Sequence, residues 1–117
     1  MTAIVPVRTS IAAGQALSGP VASVGYGVCL LLLPAAWTDA PLTLQGSLDE
    51  GEPAAWADLH DHLGNEVVLT VAAGRALTLP PTLLLGWRWL RLRSGLAAVP
   101  VSQTAERLIT LGIRPLA

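Results

Sequence analysis

A chain of 117 residues has room for one domain around one core and not for two. It is 52% hydrophobic with a mean hydropathy of +0.56, yet its longest apolar run, residues 27–37, is about half the roughly 20 residues of a membrane-spanning helix, so no helix of this chain spans a bilayer. A net charge of −1 and a pI near 6.0 oppose the broad positive field on which nucleic-acid binding depends.

Residues 1–9, with Ile4, Val5 and Val7, are expected to form an extended arm able to add a strand to a neighbouring protein. The opening MTAIVPVRTS lacks the charged start and continuous apolar middle of a secretory signal, so synthesis and retention in the cytosol of the maker are expected. Residues 27–33 are apolar at successive positions, as in a strand covered on two sides. Cys29 lies inside that run and reads as a small buried hydrophobe, without an internal disulfide partner. Leu42 and Leu44 alternate with Thr43 and Gln45, a period of two that predicts a strand with one buried face.

Residues 53–63 are open to two readings. Pro53 at a helix start with Trp56, Leu59 and Leu63 at helical spacing permits two or three turns, against a strand. Beyond it, Val67, Leu69 and Val71 share a face, Leu77 and Leu79 repeat the alternation, and Ile109, Leu111 and Ile113 alternate with Leu108, Thr110 and Gly112. Residues 115–117 read as an extended tail. Nine prolines and eleven glycines punctuate these runs too often for a helical bundle and predict an all-β sandwich or barrel of short antiparallel strands.

The stretch WRWLRLRSG is the most site-like in the chain. As a strand it places Leu90 and Leu92 on one face with Arg88, and Trp87, Trp89, Arg91 and Arg93 on the other. Stacking rings flanked by cations suit nucleic acid or a sugar, but Trp and Arg are also the common anchors of protein interfaces. A protein partner is the expectation, with carbohydrate as the alternative. Charge is unevenly laid out: seven acids and no Arg or Lys lie between Asp39 and Glu66, whereas Arg75 to Arg114 holds six arginines and one acid, Glu106. Either neighbouring strands neutralise one another, or the acidic end of one copy meets the basic end of another subunit.

His60 and His62 beside Asp58 and Asp61 suggest a metal, but these are the only two imidazoles, and a transition-metal site needs three or four convergent ligands. Asp49, Glu50 and Glu52 match no calcium loop. Ser47, Asp49 and Gly51 fit a tight turn, with side chains bonding backbone amides, Gly51 at φ > 0 and Trp56 closing over the hairpin. This is loosely similar to the Asp-box hairpin, S-x-D-x-G followed by an aromatic, of β-rich extracellular and viral modules. Trp56 comes two positions late for it, so the likeness carries only the turn. No phosphate loop, nucleophile elbow or local Cys/His pair is present, and neither enzyme activity nor a cofactor or metal is expected.

Three pieces, SIAAGQALS, PAAWTDAPLTLQGS and WLRLRSGLAAVPVSQTAERLITLGIRP, together resemble a group of small structural proteins of tailed bacteriophages and prophages. The run Arg93-Ser94-Gly95 followed by Pro100-Val101 and Gln103 carries the resemblance furthest. It implies a jelly-roll-like antiparallel β-sandwich over residues 10–115, preceded by the arm at 1–9 and followed by the tail at 116–117. It also implies a virion component made in the host cytoplasm. The resulting expectation is a capsid decoration, or cement, protein that binds the major capsid protein or other virion subunits as a homo-oligomer such as a trimer. The contacts expected are Ile4, Val5, Val7, Trp87, Trp89, Arg91 and Arg93. The alternative is a tail or head-fibre module binding host carbohydrate through Trp87 and Trp89. A third reading, a bacterial envelope or secreted binding module, is disfavoured by the missing signal.

Overall fold

A computed structural model describes residues 4–80 and 82–116. These residues form eight β-strands and no helix: β1 (Val5–Ile11), β2 (Val21–Ala22), β3 (Tyr26–Leu32), β4 (Leu42–Ser47), β5 (Ala57–Asp58), β6 (Ala76–Thr78), β7 (Trp89–Ser94) and β8 (Arg107–Pro115). They build two antiparallel sheets, ordered β1-β8-β3-β6 (sheet A) and β2-β7-β4-β5 (sheet B). The core lies between them. Ile109, Leu111 and Ile113 of β8, Val28 and Leu31 of β3 and Ile11 of β1 meet Leu42 and Leu44 of β4 and Leu90 and Leu92 of β7. Each fully buried leucine or isoleucine contributes roughly 2 kcal/mol through removal of its side chain from water.

The alternations in residues 42–45, 90–92 and 108–113 are reproduced, with the apolar face of each strand turned into the core, although Thr43 on the other face of β4 is buried as well. In residues 67–71 the faces are also as expected, with Leu69 and Val71 buried and Val68 and Thr70 exposed, but pairing is confined to a bridge from Leu69 to Leu42. Residues 53–63 form neither a helix nor a long strand. Asp49 and its neighbours hold the first part as a turn, and only Ala57–Asp58 pairs with β4 before Leu59 turns inward.

Three expectations need correction. The proposed arm is an edge strand: Val5 to Ile11 pair in register with Ile113 to Arg107, while residues 1–3 lie outside the described residues. Proline is tolerated there because of the strand's parity. Ser10 turns its carbonyl away from β8 to accept the Gly19 N–H at 3.2 Å, so Arg8 and Pro6, at alternate positions, also turn away. The N–H that proline lacks is therefore on the open side and no ladder bond is lost. The second correction concerns residues 27–33, which are not covered on both sides. The register slips between Val28 and Leu30, leaving Cys29 in a bulge. Val28 and Leu31, three apart, both reach the core, while Leu32 is turned out and 43% exposed. Cys29 is half-buried, its thiol donating to the Gly112 carbonyl at 3.3 Å. At the far end, Pro115 closes β8 opposite Tyr26 and is not part of a free tail.

Candidate protein interface

The outer face of sheet B carries the Arg/Trp stretch. Cross-strand register sets Trp89 beside Ser47, Arg91 beside Gln45 and Arg93 beside Thr43, with Asp58 beyond Gln45 on β5. Arg93 is buried on this face and fully engaged: Nη1 donates to Asp58 Oδ1 at 2.7 Å, Nη2 to Glu66 Oε2 at 3.2 Å, and Nε to Thr43 Oγ1 at 3.0 Å. The Arg93 hydrogen bond, then that from Gln45 Nε2, hold the Asp58 carboxyl below its usual range. Arg91 donates from Nε to Gln45 Oε1 at 2.7 Å and lies 4.2 Å from the centre of the Trp56 ring, a cation–π contact worth roughly 0.5–1 kcal/mol at such a half-exposed site. Burial, then the neighbouring Arg93, lowers the Arg91 pKa.

These contacts show the acidic and basic stretches meeting inside one chain. Arg93 joins Asp58 and Glu66, and Arg88 lies 4.0 Å from Glu50. Sequence reasoning placed Arg93 on an interface, where the structure makes it an internal tie, and it missed Thr43, Gln45 and Glu66.

Trp87 is the second displaced residue. Gly86 has φ of 95° and the chain bends at Arg88, so the strand begins only at Trp89 and the parity expected from residue 87 fails. The Trp87 indole packs against the core and lies over Gly46, where a Cβ would come 2.4 Å from its ring. Trp89 stays on the outer face, half-buried, its indole N–H donating to the Asp49 carbonyl at 3.1 Å. Trp56, expected to close over the hairpin, lies over Arg91.

The turn after β4 forms largely as read. Ser47 Oγ accepts the Asp49 N–H, and Asp49 Oδ2 accepts those of Ala54 and Ala55 at 2.8 Å or less. Those two amides, Ala55 foremost, lower the Asp49 pKa. Gly51 is not at positive φ, since the amides beyond it, and not a left-handed glycine, close the turn.

One end of the sandwich is fastened by Gln103, whose relative exposure is 0%. Its Oε1 accepts from Thr38 N and Arg107 Nε, and its Nε2 donates to the Thr38 carbonyl and Ser94 Oγ. This joins the loop after β3 to both strands that flank residues 95–106. Beside it, the hairpin tip at residues 96–100, LAAVP, is exposed throughout. The tip is nevertheless rigidly based. Leu96 and Val99 exchange N–H and carbonyl at 3.1 Å, Val101 N donates to the Ser94 carbonyl, and Ala97 N donates to Glu66 Oε2. Gly95, at φ of 90°, has Val99 O 2.5 Å from where a Cβ would stand.

Of the expected arm contacts, Val7 packs against the chain's own core and Val5 shares its inward face, though 42% exposed, while Ile4 is exposed. The outer face of sheet A is formed by alternate residues: Arg8 on β1, Leu108, Thr110, Gly112 and Arg114 on β8, Leu30 and Leu32 on β3. Leu108 is 50% exposed, Leu30 lies over Gly112, and no acid stands at these positions.

His60 and His62 are exposed; His60 Nδ1 lies 3.1 Å from the Asp58 carbonyl, and Asp61 binds the amides of Leu63 and Asn65. Those amides, Asn65 first, lower the Asp61 pKa. Among the described residues no three His, Cys, Asp or Glu gather as metal ligands, and no helix is long and apolar enough to cross a membrane. No family model, curated protein or solved structure matches the chain.

Proposed function

We propose that this chain is a structural protein of a bacteriophage particle, a capsid decoration protein that lies on the shell through the outer face of sheet A and acts by adhesion. The observation that carries the reading is that face itself: Leu32 and Leu108 are open to solvent, Arg8 is exposed at its edge, and no Asp or Glu stands at the alternate positions named above. Exposed apolar surface rimmed by charge marks an interaction site, and guanidinium groups suit fixed contacts with carboxylates of a protein lattice. Many copies on a lattice can add weak contacts into firm attachment.

The finer reading of the sandwich as a jelly roll draws support from strand pairing. β1 pairs with β8, β2 with β7, β3 with β6 and β4 with β5, the nested pairing obtained when one long hairpin is rolled up. Eight-stranded rolls of this kind serve in viral capsids and in lectins, so the fold is compatible with either adhesion to protein or binding of sugar. The test is co-sedimentation of the pure chain with empty capsids of the phage or prophage that encodes it. Saturable binding that is lost in Leu32→Asp plus Leu108→Asp supports the reading; no binding, or binding unchanged by that variant, rejects it.

A second reading, a fibre module for host carbohydrate, has one favourable observation. Trp89 stands half-buried beside Ser47 on the outer face of sheet B, and Trp56, also half-buried, lies against Arg91 of the same face. Sugar rings stack on such indoles. Retention of the chain on host polysaccharide, abolished by Trp56→Ala and by Trp89→Ala, would select this reading over the first.

A further inference from the structure

Of the two arginines in β7, only Arg93 has a counter-charge, from Asp58 and Glu66. Among the described residues Arg91 makes one hydrogen bond, from Nε to Gln45 Oε1 at 2.7 Å, and no ion pair. Gln45 supplies no charge, and the other end of its amide is committed to Asp58. Nη1 and Nη2 of Arg91 therefore have no partner among the described residues. No buried side-chain nitrogen or oxygen there lacks one, so both groups are reached by solvent. Burial and the like charge of Arg93 act on this guanidinium with no carboxylate to offset them.

Flat apolar surface stands beside the cation. The centre of the Trp56 ring lies 4.2 Å from the guanidinium carbon. Trp89, two positions from Arg91 on the same face of β7, is held by its indole N–H at the Asp49 carbonyl. Both indoles are half-buried, so part of each stays in contact with water. Gln45 and Trp56 already fix the guanidinium from two sides, which leaves little ordering cost on binding.

Charge and shape together select the occupant. The open Nη1–Nη2 edge suits a carboxylate, which it can hold through two parallel N–H···O bonds. The indole surface suits the flat C–H face of a sugar ring. A neutral sugar would cover the rings and leave the guanidinium to water, and an acidic peptide would meet the charge and leave the rings bare. A uronic acid carries ring and carboxylate in one unit.

We infer that the outer face of sheet B binds acidic polysaccharide, a uronate ring stacking on Trp89 with its carboxylate bridged by Nη1 and Nη2 of Arg91. The inference rests on the carbohydrate reading of this face and gives it a ligand class. It is independent of attachment through sheet A, on the opposite side of the sandwich. The test is depletion of the full chain by beads carrying polygalacturonate, alginate or hyaluronate, compared with beads carrying the carboxyl-reduced form of each, or polyglutamate. At least one acidic polysaccharide is expected to bind at least roughly tenfold more tightly than its reduced form and than polyglutamate, since two charge-assisted hydrogen bonds separate them. Arg91→Gln should erase that preference, and Arg91→Lys, which keeps the charge without the fork, should fall between. An unchanged urea midpoint shows that each variant is folded, and the wild-type comparison of acidic with reduced beads decides the matter without them. Leu108→Asp, on sheet A, should bind polysaccharide as the wild type does. Equal binding of acidic and reduced forms keeps the carbohydrate reading and overturns the inference. Equal binding of polyglutamate, or a preference that survives Arg91→Gln, also overturns it, and no binding to any polysaccharide overturns both.

Discussion

Gln103 grips Thr38 with both ends of its amide, accepting the Thr38 N–H at 2.8 Å and donating to the Thr38 carbonyl at 3.0 Å. The two residues are 65 apart in sequence, and the pair closes one end of the sandwich as a backbone bridge would. Replacement by Ala leaves Thr38 N–H and carbonyl, Ser94 Oγ and Arg107 short of partners. Gln103→Ala is therefore expected to cost about 3 kcal/mol or more, since each stranded buried group costs about 1–3 kcal/mol. Gln103→Glu should not rescue it, because a carboxylate oxygen would face the Thr38 carbonyl. Urea unfolding of the three chains measures the order.

Glycines at close approaches give a graded set. At Gly46 a Cβ would press on the Trp87 ring at 2.4 Å, and at Gly112 on the Leu30 side chain at 2.5 Å. An indole packed into the core cannot step aside, whereas Leu30 lies on an open face and can change rotamer. Gly46→Ala is expected to cost about 1–3 kcal/mol as overpacking, and Gly112→Ala less. Adding Trp87→Leu to Gly46→Ala should give a double variant less destabilised than the sum of the two single changes. Additive losses would show that the two sites do not interact.

Strand faces were readable where packing enforces a period of two, as in Leu42 and Leu44, Leu90 and Leu92, and Ile109 to Ile113. Reading failed where one backbone irregularity shifted the count. The bulge at Cys29 moved Leu30 and Leu32 to the outside, and the bend after Gly86 sent Trp87 inward. The bulge leaves no mark in the hydrophobic pattern because residues 27–33 are apolar throughout, and the bend leaves none because Trp87, which turns inward, is the same residue type as Trp89, which does not. The uneven charge layout did foreshadow Arg93 with Asp58 and Glu66, though not which arginine would be buried. The Gln103 junction was beyond reach, since its partners converge only in the folded chain. Val5, Val7, Thr9 and Ile11 already carried an edge strand's alternation, obscured by Pro6.

Acid should loosen the chain through carboxylates held below their ordinary pKa. For Asp58, Asp49 and Asp61 the folded value is depressed, so the unfolded chain binds more protons near the unfolded pKa of about 3.9. Their stabilisation is present above that pH and is lost as pH falls through the folded values. Urea midpoints are expected to be flat from neutral pH down to about 5 and to drop below about 4. Asp58→Asn should lower the neutral midpoint and flatten the acid limb. An acid limb of unchanged steepness in that variant would assign the effect elsewhere.

Arg93 offers the sharpest test of whether charge is settled within the chain. Its guanidinium is nearly enclosed, while Asp58 and Glu66 keep part of their surface in water. Removing one carboxylate leaves the other, so Asp58→Asn or Glu66→Gln alone should cost about 1 kcal/mol, discounted by solvent screening. Removing both leaves a buried cation without a counter-charge, and the double variant should lose about 3 kcal/mol or more, beyond the sum of the singles. Exchanging the cation as well, with Arg93→Met in the double variant, should recover part of the loss because the methionine stem fills the same space with no charge to solvate. Urea unfolding across the set measures these differences. Double and single variants of equal stability would show that water reaches Arg93 freely and that the three residues do not act as one unit.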